Sequence, residues 1–234
     1  MKILVLGDIH GRLCWNDIIE KETYDKVIFL GDYVSTHENI SSDQQLSNLE
    51  DILNFKEQNS DKVILLRGNH DLQHLGYYWA KCSGLNNDVL KYMSEDSFKE
   101  RFLSLTQWIY RYNDYIFSHA GISQPWLDKY NIKDINDINS LDPDEKFGFS
   151  LDDYYDRYGT GETQPLTWIR PQTLCRVRIQ PYIQIVGHTP QNNISIVHNG
   201  SKTSMGMLIL CDTLPKEYLI LEDNKIEVYK NETK

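Results

Sequence analysis

Short apolar runs separated by longer amphipathic stretches dominate the hydrophobic pattern of this chain. Runs rich in Leu, Ile and Val predict strands at residues 2–6, 26–30, 62–66, 115–118, 183–186, 207–211, 218–221 and 226–229. The first three runs are almost continuously apolar, as expected for strands that are buried on both faces of a sheet. The pattern therefore predicts a sheet in the protein interior.

Apolar positions of helical period lie between these runs. Residues 42–58 begin with Ser42 and Gln45 at the spacing of a capping box, and their leucines fall on one face. A second stripe, which we interpret as core packing, consists of Phe98, Phe102, Leu105, Ile109 and Tyr112. This order predicts an α/β fold in which strands pack between layers of helices. We expect a single domain over residues 1–234, because no repeat or low-complexity linker interrupts the chain.

Glycine-flanked polar clusters directly follow five of the predicted strands. They are Gly7-Asp8-Ile9-His10-Gly11, Gly31-Asp32-Tyr33, Arg67-Gly68-Asn69-His70-Asp71, Ser118-His119-Ala120-Gly121 and Gly187-His188-Thr189-Pro190. Sites in layered α/β folds gather where strands end and loops begin. Carboxylate, amide and imidazole groups bind hard or borderline divalent metals, and glycines let the backbone approach a ligand closely. Each cluster alone is typical of an ordinary loop, but the set predicts a metal site.

The ordered series Gly-Asp-x-His-Gly, Gly-Asp, Gly-Asn-His-Asp, His-Ala-Gly and Gly-His-Thr resembles the calcineurin-like metallophosphoesterase superfamily. It is most similar to the branch that contains phosphoprotein phosphatases and bacterial diadenosine-tetraphosphate hydrolases. The motifs span residues 7 to 190. The resemblance implies a layered αββα fold with central β-sheets sandwiched by helices.

The resemblance also implies two divalent metal ions, with manganese expected and iron or zinc as alternatives. The six implied metal ligands are Asp8, His10, Asp32, Asn69, His119 and His188. In the family pattern Asp8, His10 and Asp32 bind the first metal. Asp32 bridges to the second metal, which the remaining three residues complete.

Roles in the reaction are implied in the same way. A hydroxide that bridges the two metals would be the nucleophile, and His70 would be the acid that protonates the leaving oxygen. Arg67 and Arg170 match arginines that hold phosphate oxygens in the family, a task that suits the guanidinium fork. Either arginine could instead pair with a carboxylate of this acidic protein.

The second motif departs from the family pattern. Ser35 and Thr36 stand where most phosphoprotein phosphatases have an aspartate that orients the catalytic histidine and an arginine that binds phosphate. Loss of the aspartate is expected to lower the pKa of His70 and to weaken activity on alkyl phosphates relative to aryl phosphates. The candidates to compensate for it are His37, Glu38 and Asp71.

Other polar residues are interpreted more simply. His74 and His198 are expected to be structural. Asp212 is a candidate to contact the metal ligands without binding a metal itself. The acidic, tyrosine-rich segment 141–158 is typical of a solvated surface, although Tyr154 and Tyr155 could also line the cleft and select substrates by stacking.

Charge, apolar run length and cysteine spacing limit the binding partners and the cellular location that we expect. The net charge of −10 argues against binding to nucleic-acid backbones, and no apolar stretch reaches membrane-spanning length. The apolar run at the N-terminus ends at Gly7 and is too short for a signal peptide, so we expect a cytoplasmic protein. The four widely spaced cysteines predict free, buried thiols.

The function expected from these features is that of a protein-phosphatase-like phosphomonoesterase acting on a small phosphorylated molecule or a phosphoprotein. An alternative is a nucleotide hydrolase acting on dinucleoside polyphosphates or cyclic nucleotides. A third possibility is an inactive binding module that keeps the metals. A DNA nuclease is less expected, because the chain is acidic and Thr189-Pro190 interrupts the Gly-His-x-His motif of that branch.

Overall fold

Two five-stranded mixed sheets form the centre of the protein in a computed structural model, which describes residues 1–149, 158–198 and 207–231. The strands are β1 (Lys2–Leu6), β2 (Lys26–Phe29), β3 (Val63–Leu65), β4 (Ile109–Tyr112), β5 (Tyr115–Ser118), β6 (Ile183–Val186), β7 (Ser195–His198), β8 (Met207–Leu210), β9 (Glu217–Glu222) and β10 (Lys225–Lys230). The first sheet has the order β10-β9-β1-β2-β3 and the second the order β4-β5-β6-β8-β7.

Helices cover the outer faces of the sheets. They are α1 (Cys14–Lys21), α2 (Ser42–Gln58), α3 (Asn69–His74), α4 (Asn87–Met93), α5 (Asp96–Leu105), α6 (Gln124–Lys129) and α7 (Pro171–Val177). Short 3₁₀ turns lie at Ile135–Ser140 and Glu145–Phe147. None of the helices in the described part of the chain is both long and apolar enough to span a membrane.

The apolar core lies between the two sheets and on their outer faces. Ile3 and Ile28 of the first sheet share one buried cluster with Phe117 and Ile185 of the second. The alternate residues of β1 and β2 point outward and pack against α1 and α2. Burial of each such side chain contributes about 1.5–3 kcal/mol, and burial on both faces explains why these runs are continuously apolar. The predicted layered α/β architecture is confirmed.

Parallel strands bring the polar clusters to one edge. β1, β2 and β3 are parallel neighbours in the first sheet, and β5, β6 and β8 are parallel neighbours in the second. The predicted clusters follow β1, β2, β3, β5 and β6, so all of them leave the carboxyl ends of parallel strands.

The predicted strands are all observed, with boundaries that differ by at most one residue at either end. The strands β4 and β7 were not predicted. The proposed continuation of the apolar stripe into Ile109 and Tyr112 as a helix is wrong, because α5 ends at Leu105. The chain then becomes extended, and the Gln107 amide donates to Leu65 O at 2.9 Å at the edge of the first sheet. Pairing with the sheet thus overrides the helical period.

The start of α2 also differs in detail from the prediction. Ser41, not Ser42, is the N-cap, and its side chain accepts a hydrogen bond from the Gln44 amide. The Gln45 side chain accepts from the Ser35 amide at 2.8 Å and donates to Ile40 O at 3.0 Å. The expected capping box is therefore absent, and Gln45 supports the loop after β2.

Candidate metal centre and cleft

Two groups of potential metal ligands lie at the shared edge of the sheets. Asp8, His10 and Asp32 form one group, and Asp32, His119 and His188 form the other. Within each group the donor atoms lie within 4.8 Å of one another. Asp32 belongs to both groups, so its carboxylate lies between two potential cation positions.

Asn69 joins the second group through its side-chain oxygen. Asn69 Oδ1 lies 2.9 Å from His119 Nε2 and 2.8 Å from His188 Nδ1. His119 Nδ1 faces Leu30 O at 2.8 Å, so a backbone carbonyl orients this ring. The structure therefore brings together all six residues that the sequence proposed as metal ligands.

Three of these residues adopt a left-handed backbone. The φ angles are +48° at His10, +51° at Asp32 and +64° at His188, a region that residues other than glycine rarely occupy. The amides of Ile9 and His10 donate to Asp32 O at 3.1 and 2.8 Å, which holds the first two loops together. Such strained positions cluster at functional sites, where the surrounding structure enforces them.

Two glycines allow the carboxylates to approach the neighbouring backbone. A Cβ atom at Gly68 would lie 2.1 Å from Asp32 Oδ1, and one at Gly187 would lie 2.0 Å from Asp8 Oδ1. Any larger residue at either position would displace a carboxylate.

Asp71 organises the backbone of the site. Its carboxylate accepts hydrogen bonds from the amides of Asp32 at 3.0 Å, Tyr33 at 2.9 Å and Gly68 at 2.8 Å. Burial and the nearby charge of Asp32 raise the pKa of Asp71 to about 7. Because its oxygens bind these amides, Asp71 does not supply the missing partner of His70.

The carboxylates and imidazoles of the site shift one another's pKa values. Burial, followed by Asp212, raises the pKa of Asp8 well above its usual value. Burial alone would raise the pKa of Asp32, but the imidazoles of His119 and His70 outweigh it and lower that pKa. Burial would lower the pKa of His119, yet Asp32 and Asp8 raise it to about 10. This set of buried oxygen and imidazole donors fits divalent cations, which would neutralise the carboxylates.

His70 lies beside the metal-ligand groups with one ring nitrogen toward them. Its Nε2 is 4.0 Å from Asp32 Oδ2, and its backbone amide donates to Asp32 Oδ1 at 2.9 Å. Burial lowers the pKa of His70 to about 4. The hydroxyl of Ser35, the residue at the family's aspartate position, donates to Gly84 O at 2.8 Å.

The other ring nitrogen of His70 faces a cysteine that the sequence did not indicate. Cys82 Sγ lies 3.6 Å from His70 Nδ1 and accepts from Asn69 Nδ2 at 3.4 Å. Burial raises the pKa of the Cys82 thiol to about 12. Cys82 lies in a loop without a recognisable motif, so no signal in the sequence could have identified it.

The two predicted phosphate-binding arginines lie in different surroundings. Arg170 lines the cleft, and its Nη1 donates to Thr189 Oγ1 at 3.2 Å and to His188 O at 3.3 Å. Arg67 is buried, and its guanidinium donates to Thr106 Oγ1 at 2.9 Å and to the carbonyls of Leu103 and Thr106 at 2.8 Å. The structure brings Arg170 to the site and holds Arg67 against the end of α5.

A cleft of about 380 Å³ opens above the metal-ligand groups. Besides predicted residues, it is lined by Arg12, Trp168 and Lys216, which the sequence interpretation missed. Arg12 directly follows the first polar cluster, and this position could have identified it. Its Nε pairs with Glu38 Oε1 at 2.7 Å, and its Nη1 donates to Asp8 O at 3.3 Å.

Other residues considered in the sequence analysis lie in the core, at the cleft or outside the described residues. His74 is fully buried, and its Nδ1 lies 2.7 Å from His70 O. Asp212 is buried at the cleft, and burial raises its pKa. Tyr154 and Tyr155 lie outside the described residues. All four cysteines are free thiols, as predicted, but only Cys14 and Cys211 are buried, whereas Cys82 and Cys175 are partly exposed.

The structure is a layered α/β fold that gathers carboxylate, amide and imidazole groups at the ends of parallel strands, and this arrangement is a candidate metal site. The model of the calcineurin-like phosphoesterase family matches residues 1–229, and the chain belongs to this family. It is therefore a hydrolase that acts on phosphoester bonds. No curated protein matches the sequence.

Solved structures of phosphatases share this fold. A cold-active protein-tyrosine phosphatase of a psychrophilic Shewanella species has a TM-score of 0.66 and 20% identity, over 98% of this chain and 77% of that one. A protein serine/threonine phosphatase from Saccharomyces cerevisiae has a TM-score of 0.58 and 16% identity, over 100% of this chain and 81% of that one. At these identities the likeness concerns the fold.

Proposed function

We propose that the protein is a phosphomonoesterase that works with two divalent metal ions. The observation that carries the proposal is the position of Asp32, whose carboxylate belongs to both groups of potential ligands. A carboxylate between two cation positions is what a two-metal site needs, because one anion can then stabilise both ions. The two solved structures of similar fold named above are a protein-tyrosine phosphatase and a protein serine/threonine phosphatase.

The ligands divide between the two positions as the geometry groups them. Asp8, His10 and Asp32 would hold the first ion, and Asp32 would share the second with Asn69, His119 and His188. Manganese is the expected ion, with iron or zinc as alternatives, because the donors are oxygen and imidazole nitrogen. When bound, two ions lower the pKa of a water molecule and stabilise charge on the attacking and leaving oxygens.

Two residues beside the ligands would act on the substrate. The Arg170 guanidinium lies in the cleft next to the second group and would hold phosphate oxygens. His70 directs Nε2 toward Asp32 and the cleft, from where its N–H would reach the leaving oxygen. Arg67 has no part in this proposal, because its donors bind the end of α5.

A substrate screen on metal-reconstituted protein tests the proposal. Metal-free protein is supplied with Mn, Fe or Zn and assayed on p-nitrophenyl phosphate, phosphopeptides, mononucleotides, dinucleoside polyphosphates, cyclic nucleotides and bis-p-nitrophenyl phosphate. Metal-dependent release of phosphate from monoesters is the expected result. Faster cleavage of the dinucleoside polyphosphates or cyclic nucleotides would instead identify a nucleotide hydrolase.

A matched pair of variants distinguishes the effect of losing the shared carboxylate from the effect of losing a surface carboxylate. Asp32→Asn removes the shared charge, whereas Asp51→Asn makes the same change at an exposed position of α2. We expect the first variant to lose activity by at least about 100-fold and the second to match the wild type. Phosphate binding without turnover in the wild-type protein, with every metal, would indicate a binding module and contradict the proposal.

A further inference from the structure

We propose that Cys82 is the residue that positions His70, and that its thiol, standing where a carboxylate would be expected, makes the enzyme favour aryl over alkyl phosphates. This inference rests on the proposed phosphomonoesterase function. The sulfur lies 3.6 Å from His70 Nδ1, on the side of the ring opposite the nitrogen that faces Asp32.

The hydrogen bonds of the sulfur fit an imidazole that carries its proton on Nε2. An amide nitrogen can only donate, so Cys82 Sγ accepts from Asn69 Nδ2 at 3.4 Å. The thiol hydrogen is then available to the lone pair of His70 Nδ1. A neutral imidazole that accepts at Nδ1 carries its hydrogen on Nε2, which faces the cleft. Cys82 thereby sets both the tautomer and the direction of the His70 ring.

The loop that carries Cys82 is tied to the helix that carries His70. The Gln73 side chain of α3 accepts from the Cys82 amide at 2.6 Å and donates to Ser83 O at 3.3 Å. His74 Nε2 of the same helix accepts from the Asn86 amide at 3.1 Å. The sulfur and the ring are therefore held on one rigid unit, as a positioning contact requires.

Ser35 and two of the predicted substitutes for the missing aspartate, Glu38 and Asp71, are engaged elsewhere. The Ser35 hydroxyl donates to Gly84 O, the Asp71 carboxylate accepts from three backbone amides, and Glu38 pairs with Arg12. Among the contacts of the described residues, Cys82 is the side chain that meets His70 Nδ1.

A thiol partner has a chemical consequence for the leaving group. A carboxylate stabilises a fully protonated imidazole, whereas a neutral thiol orients the ring and leaves Nε2–H as a hydrogen-bond donor. As the new P–O bond forms, the bond to the leaving oxygen breaks and that oxygen keeps the electron pair. An aryl oxide, with a phenol pKa of about 10, can depart with only a hydrogen bond and take its proton from water afterwards. An alkoxide needs the proton in the same step, so phosphotyrosine-like esters are favoured over phosphoserine-like esters.

Kinetics of three Cys82 variants test the inference. Cys82→Ala should lower kcat on p-nitrophenyl phosphate and on a phosphotyrosine peptide by roughly three- to tenfold, with KM unchanged. Cys82→Ser keeps a hydrogen-bond donor and should recover most of this loss. Cys82→Asp should raise kcat on a phosphoserine peptide relative to phosphotyrosine by about tenfold or more compared with the wild type. The control is Cys175→Ala, a half-buried cysteine of α7 outside the cleft, which should leave all rates unchanged.

Nitrogen-15 spectra of the histidines in metal-free protein provide a readout that does not need activity. His70 should show the Nε2–H tautomer in the wild type and in Cys82→Ser, and a mixture of tautomers in Cys82→Ala. An unchanged His70 signal in Cys82→Ala, or an unaltered ratio between the two peptides in Cys82→Asp, would overturn the inference alone. Absence of hydrolysis of any monoester by the wild type would overturn the proposed function and this inference with it.

Discussion

The backbone amide of His188 donates to both carboxylate oxygens of Asp8 at 3.0 Å. Asp8 follows β1 in the first sheet and His188 follows β6 in the second, so this contact joins the two sheets at the site. A Cβ at the intervening Gly187 would collide with the same carboxylate at 2.0 Å. The correct position of Asp8 therefore depends on the packing of the whole fold.

Replacing Asp8 with asparagine separates its charge from its structural contact. The amide oxygen of Asp8→Asn can still accept from His188, but the negative charge beside the metal position is lost. Burial and Asp212 raise the pKa of Asp8, so the metal-free variant should be at least as stable as the wild type. Its metal affinity should fall more than about 100-fold, since even indirect contacts cost 10–100-fold. Thermal unfolding with and without manganese measures both effects, and Asp51→Asn is the control.

Metal binding should release protons. Asp32 and Asp8 overcome the effect of burial and raise the pKa of His119 to about 10 in the metal-free protein, so this ring is protonated at neutral pH. A ring nitrogen must lose its proton before it can bind a cation, so affinity should fall as the pH is lowered below that pKa. Calorimetric titration with manganese at pH 7, in buffers of different ionisation enthalpy, measures the release. About one proton or more per chain is expected, and an enthalpy independent of the buffer would contradict this assignment.

Gly68→Ala should damage the site more than the fold. The added Cβ would lie 2.1 Å from Asp32 Oδ1 and 2.4 Å from the Asp32 amide, so the carboxylate must move. Overpacking of this kind costs about 1–3 kcal/mol, and activity should be almost lost. Gly76→Ala is a suitable control, because its φ of +82° makes an alanine costly to the fold at a position outside the cleft. It should lower stability by about 1 kcal/mol with full activity, as chemical unfolding and rate assays would show.

The two arginines should respond differently to truncation. Arg67→Ala leaves the carbonyls of Leu103 and Thr106 without their donor and should lower the free energy of unfolding by about 1–3 kcal/mol. Its KM should stay within about twofold of the wild type. Arg170→Ala should raise KM roughly 10–100-fold with little loss of stability, because charge-assisted contacts to phosphate are lost. The opposite pattern would return the phosphate-binding role to Arg67.

The architecture could be predicted because the first strands are buried on both faces. Their continuously apolar runs, and the polar residues that stop each run, indicated both the strands and the loops beyond them. The prediction failed where tertiary pairing outweighed local periodicity. Ile109 and Tyr112 fit a helical stripe, but they belong to β4, which pairs with β5. No local pattern distinguishes these outcomes, because hydrogen bonds to a distant strand decide between them.

The site was predictable to the extent that its residues occur in strand-end motifs. Asp8, Asn69 and His188 lie in such motifs and meet in the structure. Cys82 lies in a loop without a motif and reaches His70 only because Gln73 ties that loop to α3. Arg67 shows the converse, since it lies within a motif but its side chain turns toward Thr106. Motif membership predicts the position of the backbone better than the direction of a long side chain.

The most direct test of the two-metal account is a titration of metal-free protein with manganese, in which bound metal and the rate of p-nitrophenyl phosphate hydrolysis are followed together. Because Asp32 belongs to both groups of ligands, the account predicts that full activity requires two ions per chain. It also predicts that Asp32→Asn binds less metal and remains inactive at saturating manganese. Full activity with a single bound ion, or an active Asp32→Asn variant, would contradict the account.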